Sequence, residues 1–309
     1  MITPNRSLVG YVTRATTTGQ VGGPMSGDSF DDPIALDRQS LRLIDLLSNG
    51  LDSLLSKTGA LLVGAMAIIG IVSSILQQSL AVKILTDMLE YVRENADTSD
   101  PEIQQTLDEA QRNVDAMASG FDVPILVSLL GLLVLALVSE AVLIVGVRAF
   151  ANTELDGVPV TLVKRRLPAA TLYGFLGGIL LMIAIGIGLV LLVVPGLLIL
   201  VGTVFFRQEI AVADKGPLQA ISGTWELTKG HRWSLLGLIV ALWLISLAVT
   251  LLVAPLIAPS GTAGIAVESL FGGLTTVFSV AVVTDAYVQL RGSPGDETTG
   301  SPGSDDLTL

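Results

Sequence analysis

From Ala169 to Phe206 the chain carries no charged side chain. A bilayer core takes about 20 apolar residues per helix, so this block is too long for one span even when tilted. Its interior Val193-Val194-Pro195-Gly196 supplies a helix end and a restart, because Pro195 cannot continue the hydrogen-bond ladder. Two helices are predicted, about 169–193 and 196–213, joined by a tight turn. Four further apolar runs read as spans, at about 58–80, 123–147, 233–258 and 263–288. The second carries Ser139 and Glu140 in its interior, and the fifth closes on Ala258-Pro259-Ser260-Gly261. The expected fold class is all-α: a polytopic integral membrane bundle of six transmembrane helices in three hairpins, over residues 33–291.

Composition supports that class and excludes others. Hydrophobic residues make up 51% and charged residues 15%, with a mean hydropathy of +0.71, where a soluble globule carries about a quarter charged. Disorder over most of the length is excluded by the wealth of Val, Ile and Leu. With no Cys and one His, disulfides, thiolate metal sites and multi-histidine sites are absent. A net charge of −11 argues against a nucleic-acid partner. Residues 1–32, rich in Thr, Gly and Ser, and the acidic tail 292–309 are expected to be unstructured, and Met25 is a second candidate start. The first 57 residues hold no apolar core of the kind a secretory signal needs.

Orientation follows from the connections. With both termini inside, fourteen basic residues fall on the cytoplasmic side: Arg6, Arg14, Arg38, Arg42, Lys57, Arg148, Lys164, Arg165, Arg166, Arg207, Lys215, Lys229, Arg232 and Arg291. Three fall outside, Lys83, Arg93 and Arg112, all in one long loop. The expected location is the plasma membrane, multi-pass, with cytoplasmic N and C termini.

That loop, residues 81–122, reads as an extracellular helical hairpin. Val82, Leu85, Leu89 and Val92 carry the first helix outward, and Ser99-Asp100-Pro101-Glu102 is a helix start. Ile103, Leu107, Ala110, Val114, Met117 and Phe121 form the returning stripe. A cap closed on itself is the simplest reading, and a docking site for another protein the alternative. Inside, Ile34, Leu41, Ile44, Leu47, Leu51, Leu54 and Leu55 describe an amphipathic helix before the first span. Leu218, Ile221 and Trp225 describe a second, begun by Pro217 and ended by Lys229-Gly230. Such helices lie at the headgroups, anchored here by Trp225 and Trp233 and flanked by Lys164, Arg165, Arg166, Lys229, His231 and Arg232 as candidate headgroup contacts.

The connections Asp156-Gly157-Val158-Pro159 and Asp214-Lys215-Gly216-Pro217 match, with prolines 58 residues apart, and a looser copy begins at Asp32-Pro33. This spacing predicts an internal repeat of the hairpin unit.

The segment Arg207–Gly237 carries Asp214, Gly216-Pro217, Ala220, Trp225 and Leu227-Thr228-Lys229-Gly230. In this it resembles the membrane domain attached to some glycerophosphodiester phosphodiesterases and the uncharacterised six-helix membrane proteins of extremely halophilic archaea. The motif covers about thirty residues, and the six-helix layout extends the similarity over most of 33–291. The phosphodiesterase catalytic domain is missing, so that activity does not carry over; the resemblance implies a membrane module without an assigned role. Five Lys, no Cys and a strongly acidic balance fit a high-salt cytoplasm.

Ionisable groups within hydrocarbon are costly and need a reason. Glu140 sits about 7 Å inward of its helix midpoint. Arg207 and Glu209 fall near the middle of a short fourth span, and Asp285 toward the inner end of the sixth. A Glu140–Arg207 pair across neighbouring hairpins is one expectation; a proton- or ion-coupling carboxylate is another. Gly174, Gly178 and Gly186 share a face suited to close helix packing. Gly186-Ile187-Gly188 lies mid-span without a preceding strand and is no nucleotide loop. GxSxG, HExxH, P-loop and paired-carboxylate patterns are all missing. The expected function is a non-catalytic membrane scaffold or accessory module without cofactor, with a transporter using Glu140 as the alternative.

Overall fold

The computed structural model describes residues 42–95, 100–117, 122–152, 161, 166–257 and 262–292. The helices there are α1 (Leu43–Leu55), α2 (Lys57–Asn95), α3 (Pro101–Met117), α4 (Ile125–Ala151), α5 (Leu167–Leu191), α6 (Val193–Gly202), α7 (Phe206–Ala213), α8 (Pro217–Leu227), α9 (Arg232–Ile257) and α10 (Thr262–Arg291). No strand occurs among the described residues. Six segments are long and apolar enough to cross a membrane: α2, α4, α5, α6 with α7, α9 and α10. Residues 1–41, Asp156–Pro159, Lys164, Arg165 and the tail from 293 lie outside the described set, as do the predicted termini and half of the predicted repeat.

α10 is the hub, packing on α2, α1, α9 and α4. α2 packs on α4, and α5 runs against α6. Two apolar clusters fill the interior. One gathers Leu62, Ile144, Val147, Phe206, Ile210 and Val277; the other gathers Leu46, Val201, Phe205, Leu235, Val282 and Tyr287. Large apolar side chains cover much of the exterior, among them Leu61, Ile68, Leu130, Met182, Trp243 and Leu252. That is the reverse of a water-soluble surface and suits a hydrocarbon solvent.

α2 is one unbroken helix of 39 residues, so it extends well past the length of a single span. Val82, Leu85, Leu89 and Val92 on its far portion are half-buried, and α3 packs back on it through Leu107 and Val114. Asp100 caps α3, accepting from the Glu102 N–H at 2.9 Å. The side chain of Met117 and all of Phe121 lie outside the described residues. Ser79 Oγ accepts from the Val123 N–H at 2.9 Å, and Lys83 Nζ lies 2.7 Å from Asp122, so the start of α4 is tied to α2.

Several features differ from the sequence reading. The break between α5 and α6 falls at Leu192, whose φ of −156° and ψ of 124° are extended, rather than within the Val193–Gly196 stretch. Pro195 sits in the first turn of α6, where its missing N–H removes a donor that has no intrahelical partner anyway. The fourth span is itself broken, at Thr203–Phe205 between α6 and α7. Thr203 Oγ1 donates to the Ile199 carbonyl at 2.7 Å, and the Phe205 N–H donates to Thr224 Oγ1 at 3.2 Å. α8 thus supplies an acceptor for a donor that the break releases. Third, Gly178 and Gly186 face open space, while Gly174 and Gly177 make the close approaches, to Glu140 and to the Phe206 ring.

α1 docks partly on the expected stripe, with Leu47 and Leu54 half-buried against the two clusters, and partly beside it. Leu46 and Gly50 are buried against α10, and a Cβ at Gly50 would lie 2.2 Å from Val282 Cγ2. Ile44, Leu51 and Leu55 point outward. The helix is apolar on two sides, and Gly50 selects the side that docks because only there is there room for the Val282 side chain.

Candidate functional site

Ionisable and polar side chains collect at one end of the bundle, where α7 and α10 finish and α5 and α9 begin. Glu140 reaches from α4 toward α5, into space left by Gly174, where a Cβ would lie 2.4 Å from Glu140 Oε1. Arg207 on α7 meets it with Nε on one carboxylate oxygen and Nη2 on the other, both at 2.9 Å. A bidentate fork of this kind fixes both side chains. Glu140 is buried, and the Arg207 side chain keeps 38% exposure.

Glu209 is two residues further on and faces a different neighbour. It is buried, with Lys215 Nζ 2.5 Å from Oε2 and the Tyr287 hydroxyl donating to Oε1 at 3.2 Å. Arg291 lies 3.8 Å from the same oxygen, donates to the Tyr287 hydroxyl and stacks over its ring. Gly223 on α8 makes the room, since a Cβ there would meet both Lys215 Nζ and Glu209 Oε2. This cluster joins α7, α8 and α10.

Arg148 lies within α4 rather than in a connection. Counted as a connection cation, it is 2% exposed inside the bundle. Its Nε donates to the Ala211 carbonyl at 2.8 Å and Nη2 lies 3.6 Å from Asp214. The signal was present: Arg148 follows Val145-Gly146-Val147 with no polar residue between it and the apolar run. Gln208 with Thr284, at 3.5 Å, adds a neutral link between α7 and α10.

Asp285 does not join these groups. It accepts from Asn49 at 3.0 Å and Gln289 at 3.2 Å, and so ties α1 to α10. Beside it is a cavity of about 280 Å³ lined by Asn49, Asp52, Ser53, Phe150, Ala281 and Val288, with none of Glu140, Arg207 or Glu209 in its wall. Among the described residues no group of His, Asp and Glu is arranged to hold a metal ion.

A family model for a domain of unknown function, DUF7847, matches residues 41–290, which is most of the chain. The chain belongs to the DUF7847 family. No curated protein and no solved structure matches it.

The DUF7847 match takes in every described candidate for headgroup contact. Arg166 and Lys229 are exposed, and Trp233 is 86% exposed on the first turn of α9. Arg166 adopts a left-handed conformation just before α5. Trp225 instead packs on Gly202, where a Cβ would meet its ring at 2.3 Å, and Arg232 lies 4.7 Å over that ring. His231 is half-buried between α8 and α9, its N–H donating to the Thr228 carbonyl at 3.2 Å. α8 buries Ala220 and Thr224 rather than the larger Leu218, because the small residues let it lie close to α7.

Proposed function

We propose that this DUF7847 protein is a non-catalytic integral membrane module, a scaffold or accessory subunit. It would be threaded as three hairpins (α2 with α4, α5 with α6 and α7, α9 with α10) in the plasma membrane, both termini cytoplasmic. The observation that carries this reading is the partnering of the interior carboxylates. Glu140 is taken by Arg207, Glu209 by Lys215, Tyr287 and Arg291, and Asp214 lies beside Arg148. A transporter's coupling carboxylate has to face a path and change its protonation or ligand; the cavity of about 280 Å³ beside Asp285 has neither Glu140 nor Glu209 in its wall. Buried pairs spanning three helices serve to fix one arrangement, which is what a scaffold requires.

In this reading the polar end faces the cytoplasm. Arg166, Lys229 and Arg232, together with Lys164 and Arg165, contact anionic headgroups, while Trp233 anchors α9 at the interface. The acidic α2–α3 hairpin stands on the opposite side and offers a protein partner its docking surface. Transport is the competing reading, favoured by the break in the fourth span beside Arg207 and Glu209.

Proteoliposomes holding the intact protein separate the two. The scaffold reading expects no proton or cation flux above protein-free vesicles, with or without a membrane potential. Flux that disappears in Glu140→Gln establishes transport and overturns it.

A further inference from the structure

Residues 174–202 contain no side chain with a nitrogen or oxygen atom, and the turn between α5 and α6 lies inside that stretch. A connection between two membrane spans ordinarily reaches water, and its residues are polar for that reason. Here Val190, Leu191, Leu192, Val193 and Val194 follow one another at 61–87% exposure, with no other part of the described protein packed over them. Five consecutive large apolar side chains in water would be strongly unfavourable.

The turn is short. One extended residue, Leu192, reverses the chain. Its N–H still donates to the Gly188 carbonyl at 3.0 Å, and the Gly196 N–H donates to the Leu192 carbonyl at 3.4 Å. Pro195 has no N–H to satisfy. Gly188 and Gly196 let the two helices touch by backbone, since a Cβ on Gly196 would lie 2.5 Å from the Leu189 nitrogen. Two backbone bonds are kept across the turn, so it leaves fewer polar groups unpaired than an irregular loop would.

We propose that the α5–α6 turn is inserted among the acyl chains of the leaflet remote from the polar end. The pair would then enter the bilayer and return without presenting a loop to water on the far side. The proposal rests on the membrane reading above. Its occupant is lipid acyl chain, argued from the unbroken apolar sequence, the exposure of the turn and its shortness.

The chain has no cysteine, so single thiols report without background. Leu192→Cys, Ile68→Cys in mid-α2 and Gln105→Cys on α3 would be made in the full-length protein. Each would be treated with a charged, membrane-impermeant maleimide in vesicles opened to both sides. The expected result is rapid labelling at 105, labelling about ten-fold slower or more at 192 and 68, and complete labelling of all three in SDS. A bimane on the thiol at 192 is also expected to be quenched by lipids brominated on their acyl chains. Labelling at 192 as fast as at 105, with 68 protected, overturns the inserted turn and leaves the membrane reading intact. Fast labelling at 68 overturns the membrane reading itself. Protection at 192 without quenching, together with crosslinking between copies, replaces lipid by a second copy of the chain and overturns the proposal.

Discussion

Arg207 grips both oxygens of Glu140, joining α7 to α4 across 67 residues of sequence. Breaking one side of a buried pair leaves an uncompensated charge, at about 3–5 kcal/mol. The partial exposure of Arg207 lets solvent screen its charge, so about 1–3 kcal/mol is the expected loss for Glu140→Gln or Arg207→Gln alone. The double variant should lose less than the sum. Thermal unfolding of the four proteins in one detergent checks this, and strict additivity would show that the pair is not coupled.

Gly50 and Gly64 should respond in opposite ways to alanine. A Cβ at Gly50 collides with Val282, a β-branched side chain that is fully buried and has nowhere to move. Gly50→Ala is expected to cost about 1–3 kcal/mol and to loosen α1 from α10. Gly64 meets nothing within 4 Å, so Gly64→Ala should be neutral or stabilise by up to about 1 kcal/mol through helix propensity. Protease resistance near Arg42 and the melting temperature read the two effects.

Thr224 accepts the N–H of Phe205 at the break in the fourth span. Thr224→Val keeps the shape and removes the acceptor, leaving a buried donor unpaired at about 1–3 kcal/mol. Thr224→Ser keeps the hydroxyl and should lose clearly less. Amide exchange at Phe205, measured by mass spectrometry, should rise in the valine variant alone.

Asp100 caps α3 outside the apolar spans. Asp100→Ala should lower local stability by about 0.5–2 kcal/mol and speed exchange over 101–117. Exchange in α4 and α10 should stay unchanged. Faster exchange throughout the chain would mean that α3 is not a separately opening unit.

The six apolar segments were legible because each depends on composition along the chain alone. Glu140, Arg207 and Glu209 were legible as individuals, being charges in apolar surroundings. Their company was less so. That Glu209 turns to Tyr287 while Arg207 turns to Glu140 follows from which faces of α7 meet α10 and α4, and no local spacing encodes that. The break at Thr203–Phe205 was hidden because its acceptor, Thr224, is contributed by a later helix. Leu192 was missed in favour of Pro195 because a proline stops a helix only away from its first turn, and the sequence does not say where the first turn begins. The docked side of α1 was ambiguous for a simpler reason: both Leu46 and Leu51 sit on credible apolar stripes, and burial of Gly50 decides between them.

α2 is continuous from Lys57 to Asn95, a rod of about 58 Å with no proline or break along it. It touches α1 near one end and carries α3 near the other. A shaft without a joint cannot let its tip swivel independently of its foot. A few degrees of tilt at the base of α2, beside α1, therefore displace the tip that carries α3 by several ångströms.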